Sequence, residues 1–145
     1  MNIAQCISLI SSTWHGCQGV SADVFNKIEP QIQLQLPSDY KEFMCWSNGG
    51  EGVFPAIQLS LWPAEDLVLL NSNYQINQYL GDHVLGIGSD GGPICFLLDY
   101  RLGNKPKLSS VNFGDLDPEE IKQIAPSFTS AIEYAITGEL VDDDL

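Results

Sequence analysis

The last third of the chain carries the clearest helical pattern of apolar residues. Its apolar positions recur at intervals of three and four: Phe128, Ala131, Ile132, Ala135 and Ile136. This spacing places them on one side of an α-helix. Gly138 follows, and a glycine there favours the end of a helix because it readily adopts the left-handed conformation.

Three further helices are predicted on the N-terminal side of this one. Val20 to Leu36 has a weaker helical pattern that Pro30 should kink or end. A second helix begins near Pro37, where Asp39 and Glu42 have the spacing of a capping box, and Asn48-Gly49-Gly50 ends it. Pro63 opens a third helix, with Glu65 and Asp66 in its first turn. Its inward-facing residues should be Leu67, Leu70 and Tyr74.

Strand patterns lie between these helices. Alternate residues are apolar from Ala56 to Leu61, which is typical of a strand with one buried face. Val84 to Gly88 and Pro93 to Tyr100 flank Ser89-Asp90-Gly91-Gly92, and Asp-Gly between apolar segments predicts a hairpin. The second of these strands is apolar on both faces, so it should lie in the middle of the sheet.

Leu108 to Phe113 predicts one more strand, and Asp117-Pro118 the start of a helical turn. The order of elements predicts an α+β fold, with a mostly antiparallel sheet of about four to six strands flanked by helices. A length of 145 residues predicts one domain. Within it we distinguish residues 1–20 as an N-terminal extension and residues 139–145 as an acidic tail that should fray.

The net charge of the chain argues against some classes of partner. Six Lys and Arg against nineteen Asp and Glu give a net charge of −13, which argues against nucleic acid and anionic lipid as partners. No Lys or Arg occurs between Glu42 and Tyr100, a segment that carries seven acidic residues. We therefore expect a negative surface that attracts a cationic macromolecule, although acidity serving only solubility gives the same composition.

No chemical motif in the sequence predicts catalysis or a cofactor. The glycine spacing of a dinucleotide-binding motif occurs at Gly86-Ile87-Gly88-Ser89-Asp90-Gly91. In a true dinucleotide site a helix follows the motif, whereas here a strand is predicted to follow it. Asp115, Asp117 and Glu119 have the spacing of calcium ligands, but helix capping explains them better. Cys45 with His83 is the one conceivable nucleophilic pair, and no metal-binding cluster is apparent.

The four cysteines have irregular spacing, and Met1 to Ile10 lacks the features of a secretory signal. We therefore expect a cytoplasmic protein with reduced thiols, in which Cys45 and Cys95 are buried. Arg101, Lys105 and Lys107 form the only basic cluster and should solvate a turn.

An ordered set of motifs resembles the SUKH superfamily, in its Smi/Knr-like branch. The motifs are Leu36-Pro37-Ser38-Asp39-Tyr40-Lys41-Glu42-Phe43, Ser47-Asn48-Gly49-Gly50-Glu51-Gly52, Trp62-Pro63-Ala64-Glu65-Asp66-Leu67 with Asn71 and Tyr74, Ile87-Gly88-Ser89-Asp90-Gly91-Gly92 with Phe96 and Asp99, and Phe128. The resemblance covers residues 22–138. We expect its most regular positions to be structural: Leu36, Pro37, Tyr40, Phe43, Asn48, Gly49, Gly50, Gly88, Asp90, Gly91 and Gly92.

The resemblance implies a non-catalytic bacterial immunity protein. Such a protein binds and neutralises a cognate toxin, often a nuclease or deaminase and therefore basic. A regulatory or scaffolding adaptor without a toxin is the alternative that the family suggests. For the immunity role we expect partner contacts at a set of acidic and aromatic residues: Glu51, Glu65, Asp66, Asp82, Asp90, Trp62 and Tyr79.

Overall fold

A six-stranded antiparallel sheet is the framework of the protein in a computed structural model that describes all 145 residues. Each strand pairs with the next along the chain, so the strand order equals the sequence order. The strands are β1 (Gly50–Val53), β2 (Gln58–Leu61), β3 (Val84–Ser89), β4 (Ile94–Asp99), β5 (Lys107–Asn112) and β6 (Lys122–Ala125). The predicted α+β class is confirmed, with β1 and β6 as strands that the sequence pattern did not reveal.

Six helices pack on the sheet. They are α1 (Ile3–Ile10), α2 (Asp23–Ile32), α3 (Ser38–Trp46), α4 (Leu67–Asn73), α5 (Ile76–Leu80) and α6 (Phe128–Thr137). Short 3-10 turns lie at Ala64–Asp66, Pro118–Glu120 and Asp142–Asp144. The longest helices have ten residues, and none combines the length and hydrophobicity that crossing a membrane requires.

Each face of the sheet buries its own apolar cluster. On the first face, α1, α3 and α6 pack together over a main cluster of 28 buried residues. On the second face, α5 packs against β3 over a cluster of six: Ile76, Leu80, Val84, Cys95, Leu97 and Val111. Helix α4 also contacts β3, but its buried Leu67 belongs to the main cluster. Strand β4 contributes Phe96 and Leu98 to the main cluster and Cys95 and Leu97 to the other. The prediction that this strand is central and covered on both sides is confirmed.

The predicted hairpin joins β3 to β4. The Asp90 Oδ1 atom accepts hydrogen bonds from the backbone N–H groups of Gly92 (2.9 Å) and Ile94 (3.1 Å). Gly91 has a φ of +83°, which a residue with a side chain rarely adopts. This turn leads from one strand into another, so the glycine-rich segment is a hairpin and not a dinucleotide site.

The capping box predicted at Asp39 and Glu42 is wrong. Pro37 is the N-cap of α3, and Asp39 lies inside the first turn. The Asp39 carboxylate instead accepts bonds from the Tyr40 N–H at 2.8 Å and from the Thr129 N–H at 2.9 Å. It therefore serves the free N–H groups of two helices, α3 and α6, which only the tertiary structure brings together.

Residues 1–20 pack into the same core as the rest of the chain. The buried side chains of Ile3, Cys6, Ile10 and Trp14 belong to the main cluster, and α1 contacts α3 and α6. The backbone of His15 exchanges two hydrogen bonds with that of Glu51 on the edge strand β1, with N···O distances of 2.7 and 3.0 Å. This segment therefore pairs with the sheet as well as covering it.

Three smaller predictions are wrong. Cys45 is exposed, since it lies to the side of the helix face that buries Phe43 and Met44. Tyr74 is 46% exposed, because α4 ends at Asn73 and the ring lies across other aromatic residues. The acidic tail forms the 3-10 turn Asp142–Asp144 after the buried Leu140, where fraying was expected.

Candidate interaction surface

Three aromatic rings stack on the second face of the sheet, and we call Trp62, Tyr74 and Phe113 the aromatic cluster. The rings of Trp62 and Tyr74 are nearly parallel, at 9°, with centroids 5.7 Å apart. Those of Tyr74 and Phe113 are 4.6 Å apart, and those of Trp62 and Phe113 are 6.4 Å apart. Trp62 and Phe113 are partly buried, while Tyr74 is exposed. Partly exposed, mutually supported aromatic side chains are typical anchors of protein interfaces.

Different elements of the sheet position these rings. Trp62 follows β2, and its backbone N–H donates to the Ile87 carbonyl of β3 at 2.9 Å. The indole lies over Gly86, where a Cβ atom would come within 3.2 Å of the ring. Phe113 follows β5, and its N–H donates to the Pro93 carbonyl at 2.8 Å. The cluster therefore rests on a rigid, hydrogen-bonded framework.

Carboxylates flank the aromatic cluster on two sides. Glu51 is opposite Ser60 in the antiparallel register of β1 and β2. Because alternate residues share a face, Glu51, Ser60 and Trp62 lie on the same side of the sheet. On the other side, Asp115 follows Phe113 by two residues and is exposed. Both carboxylates therefore lie on segments that adjoin those carrying the rings.

The segment that follows Phe113 contains the densest run of exposed carboxylates outside the tail. We call residues 113–121 the acidic loop; its four acidic side chains are Asp115, Asp117, Glu119 and Glu120, all exposed. None of them forms a salt bridge, since the three salt bridges of the protein are elsewhere. The sequence pattern of this loop predicted only a helix cap, in preference to a set of calcium ligands.

The acidic loop is held against the sheet from two directions. Leu116 and Ile121 pack on the smaller apolar cluster. Arg101 Nη1 donates to the Pro118 carbonyl at 3.0 Å, while Nε and Nη2 donate to the two carboxylate oxygens of Asp99. The predicted role of Arg101 as a solvated turn residue is therefore incomplete, because its side chain ties the loop to the end of β4.

The structure brings some of the predicted contact residues together. Trp62, Glu65 and Asp66 lie within five residues of one another, where β2 leads into the 3-10 turn Ala64–Asp66. Glu65 is exposed, but its Oε2 atom accepts a hydrogen bond from Asn48 Nδ2 at 2.7 Å. Glu51 lies on the neighbouring strand β1, opposite Ser60.

The other predicted residues lie apart from that region or from one another. Asp82 precedes β3 and Asp90 follows it, so the two are separated by about 20 Å along a six-residue strand. Asp90 also uses one oxygen for the hairpin turn. Tyr79 is 52% exposed on α5 and makes no stacking contact with the aromatic cluster. The seven residues therefore do not form a single patch.

The motif residues that were expected to be structural have local roles in the fold. Asn48 is buried and accepts a bond from the Ala64 N–H at 2.8 Å, which joins the end of α3 to the turn after β2. Gly49 and Gly50 have φ values of +81° and +115°, and Gly50 lies against the backbone of His15. Tyr40 and Phe43 are fully buried in the main cluster.

The ionisable groups with shifted pKa values lie inside the fold. Burial raises the pKa of the Tyr40 and Tyr100 phenols and of the Cys6 and Cys95 thiols. Each shift favours the neutral form. No hydrogen bond joins Cys45 to His83, and no group of three His, Cys, Asp or Glu side chains is arranged to hold a metal ion.

Comparison with known proteins agrees with this architecture. The model of the SMI1 / KNR4 family (SUKH-1) matches residues 19–133, which include every strand of the sheet. No curated protein sequence gives a significant match. The match begins after α1 and Trp14, so the N-terminal part of the core lies outside the family model. The chain belongs to the SMI1 / KNR4 family, SUKH-1.

Proposed function

We propose that this protein is a non-catalytic immunity protein that binds and neutralises a cognate basic toxin, a nuclease or a deaminase. The SUKH family is known generally for immunity proteins. The observation that carries the proposal is the aromatic cluster flanked by Glu51 and the acidic loop, in a chain with a net charge of −13. We call this combination the interaction surface.

Charge and shape would make different contributions to binding at the interaction surface. The four carboxylates of the acidic loop form no salt bridge within the protein, so their field extends into solvent and accelerates encounter with a positive partner. The rings of Trp62 and Tyr74 supply preformed apolar area and a face for a Lys or Arg side chain. A basic surface that binds nucleic acid would be covered and blocked in such a complex.

The first test is binding to, and inhibition of, the product of the neighbouring gene. We expect a complex whose dissociation constant rises steeply with salt, and we expect stoichiometric loss of the toxin's activity. An adaptor without a toxin partner would bind a neighbour with no inhibition. A neighbouring product that is neither toxic nor bound would contradict the proposal.

Charge reversal tests the location of the surface. Glu51→Lys with Asp115→Lys should weaken the complex at least tenfold at low salt and reduce its salt dependence. Glu42→Lys with Glu139→Lys is the matched control, because both side chains are exposed and unpaired. Equal weakening by the two pairs would mean that net charge, and not this surface, determines binding.

Aromatic truncation separates the predicted anchors. Tyr74→Ala removes an exposed ring of the aromatic cluster, and we expect a loss of about 2 kcal/mol in binding free energy. Tyr79→Ala removes a similarly exposed ring outside the cluster and should change binding little. The opposite order of effects would place the anchor on α5.

A further inference from the structure

A groove lies between the end of α2, the α4–α5 corner and the start of β3. Its volume is about 530 Å³. That volume is in the range of ligand-binding clefts. Six of its thirteen lining residues carry side-chain amides: Gln31, Gln33, Asn71, Gln75, Asn77 and Gln78. We call it the amide groove.

Backbone strain is concentrated at the amide groove. Gln33 and Gln75 are the only non-glycine residues with positive φ, at +56° and +59°. Both line the groove, one at the end of α2 and the other between α4 and α5. A glutamine in the left-handed conformation costs free energy that a glycine would not, and such residues cluster at functional sites.

One side of the groove is the edge of β3, where backbone groups already have side-chain hydrogen-bond partners. Strand β2 pairs with β3 only at Ser89 and Gly88, so the first half of β3 lacks a strand neighbour on that side. Asn71 takes the neighbour's place: it accepts from the Gly86 N–H at 2.7 Å and donates to the Gly86 carbonyl at 2.9 Å. Asn77 donates to the Val84 carbonyl at 2.9 Å. A ligand would therefore not add a strand here.

Recognition would instead use the amides that have no partner within the protein. The side chains of Gln33, Gln75 and Gln78 form no hydrogen bond in the structure. The partly buried aliphatic side chains of Ile32 and Leu34 line the same groove. The groove thus offers neutral donors and acceptors together with aliphatic side chains.

The charge and composition of the groove narrow the class of ligand. Asp82 is the only charged residue that lines it, and no aromatic side chain is present. A nucleobase would find no ring on which to stack, and a phosphate would find no cation. Peptide N–H and C=O groups match primary amides in both donors and acceptors.

We propose that the amide groove binds an extended segment of a partner polypeptide that carries an aliphatic side chain next to a Lys, an Arg or a free N-terminus. The backbone of the segment pairs with Gln33, Gln75 and Gln78, the aliphatic side chain lies on Ile32 and Leu34, and the positive charge faces Asp82. This site goes beyond the proposed function, since it involves neither the aromatic rings nor the acidic loop.

A library of random linear heptapeptides displayed on phage, selected on the full-length protein, tests the proposal. We expect enrichment of peptides with an aliphatic residue beside Lys or Arg and without Asp or Glu. A synthetic selected peptide should bind Gln75→Gly and Gln33→Gly at least tenfold more weakly. Each change removes an amide and at the same time relieves the left-handed strain, so the melting temperature should not fall.

Matched controls identify the site. Gln18→Gly removes an exposed amide elsewhere and should leave the affinity for the peptide unchanged. Asp82→Asn should lower affinity and abolish the preference for a basic residue. Failure to enrich any peptide, or equal binding by wild type and both groove variants, would overturn the proposal. Loss of peptide binding in Asp115→Lys instead would assign the peptide to the interaction surface and leave the proposed function standing.

Discussion

At the residue scale, one side chain often serves a purpose that its sequence neighbours do not reveal. Asp90 was predicted both as a hairpin residue and as a partner contact, and the structure shows its Oδ1 atom accepting two backbone N–H groups of the turn. Asp39 was predicted to cap its own helix and instead bonds Thr129, ninety positions along the chain. A carboxylate's partners depend on what lies nearby in space, which local spacing does not report.

Replacing Gly91 tests the hairpin turn. Gly91→Val forces a branched side chain into a φ of +83°, and we expect the free energy of unfolding to fall by about 1–3 kcal/mol. Gly92→Val is the matched control, because Gly92 does not have positive φ and a Cβ there would meet nothing closer than 3.5 Å. Urea titration of both variants gives the comparison. Equal stability of the two would contradict the assigned turn.

Thiol reactivity tests the placement of the four cysteines. Cys17 and Cys45 are exposed, whereas Cys6 and Cys95 are buried and burial raises the pKa of their thiols. Since the thiolate is the reactive form, a chromogenic disulfide reagent at pH 8 should modify two cysteines quickly in the native protein and all four after denaturation. Peptide mapping that found Cys95 modified early would contradict the central position of β4.

At the element scale, the structural role of a segment depends on the element against which it packs. The strand β3 was predicted from its apolar run, but its incomplete pairing with β2 and the role of Asn71 as a substitute neighbour were not. The strands β1 and β6 are short and have mixed burial patterns. Four residues do not carry a reliable alternation, so sequence patterns could not reveal them.

Removing the Asn71 side chain tests whether it takes the place of a neighbouring strand beside β3. Asn71→Ala leaves the N–H and C=O groups of Gly86 without their partners in a buried place, and we expect a loss of about 2–4 kcal/mol in the free energy of unfolding. Asn73→Ala, on the same helix, removes an exposed side chain that makes no hydrogen bond and should change stability by less than about 0.5 kcal/mol. Chemical denaturation measures both. Equal effects would show that Asn71 contributes nothing specific.

At the scale of the whole molecule, residues outside the family match complete the core. The match begins at residue 19, yet Ile3, Cys6, Ile10 and Trp14 are buried in the main cluster. Trp14 packs edge-on against Phe43 at 5.3 Å and its Nε1 donates to the Gly49 carbonyl at 3.3 Å. The predicted N-terminal extension is therefore part of the packed body.

Truncation tests this dependence. Deleting residues 1–18 keeps the family match but uncovers Phe43 and the α3–α6 contact, and we expect loss of the cooperative thermal transition. Deleting residues 141–145 removes exposed acids and a single partly buried leucine, and should shift the melting temperature by only a few degrees. A cooperative transition of unchanged midpoint in the shorter core would contradict the structure.

The amino-acid pattern by itself determined the α+β class, the helix α6, the half-buried strand β2, the β3–β4 hairpin and the acidity of the chain, because each depends on residues close together in sequence. Tertiary structure alone decided which acids share a face with Trp62 and that Tyr74 stacks on Phe113. It also created the amide groove from four separate elements, α2, α4, α5 and β3. The physical reason is that burial and pairing are properties of contacts between distant segments, and local spacing contains no record of those contacts.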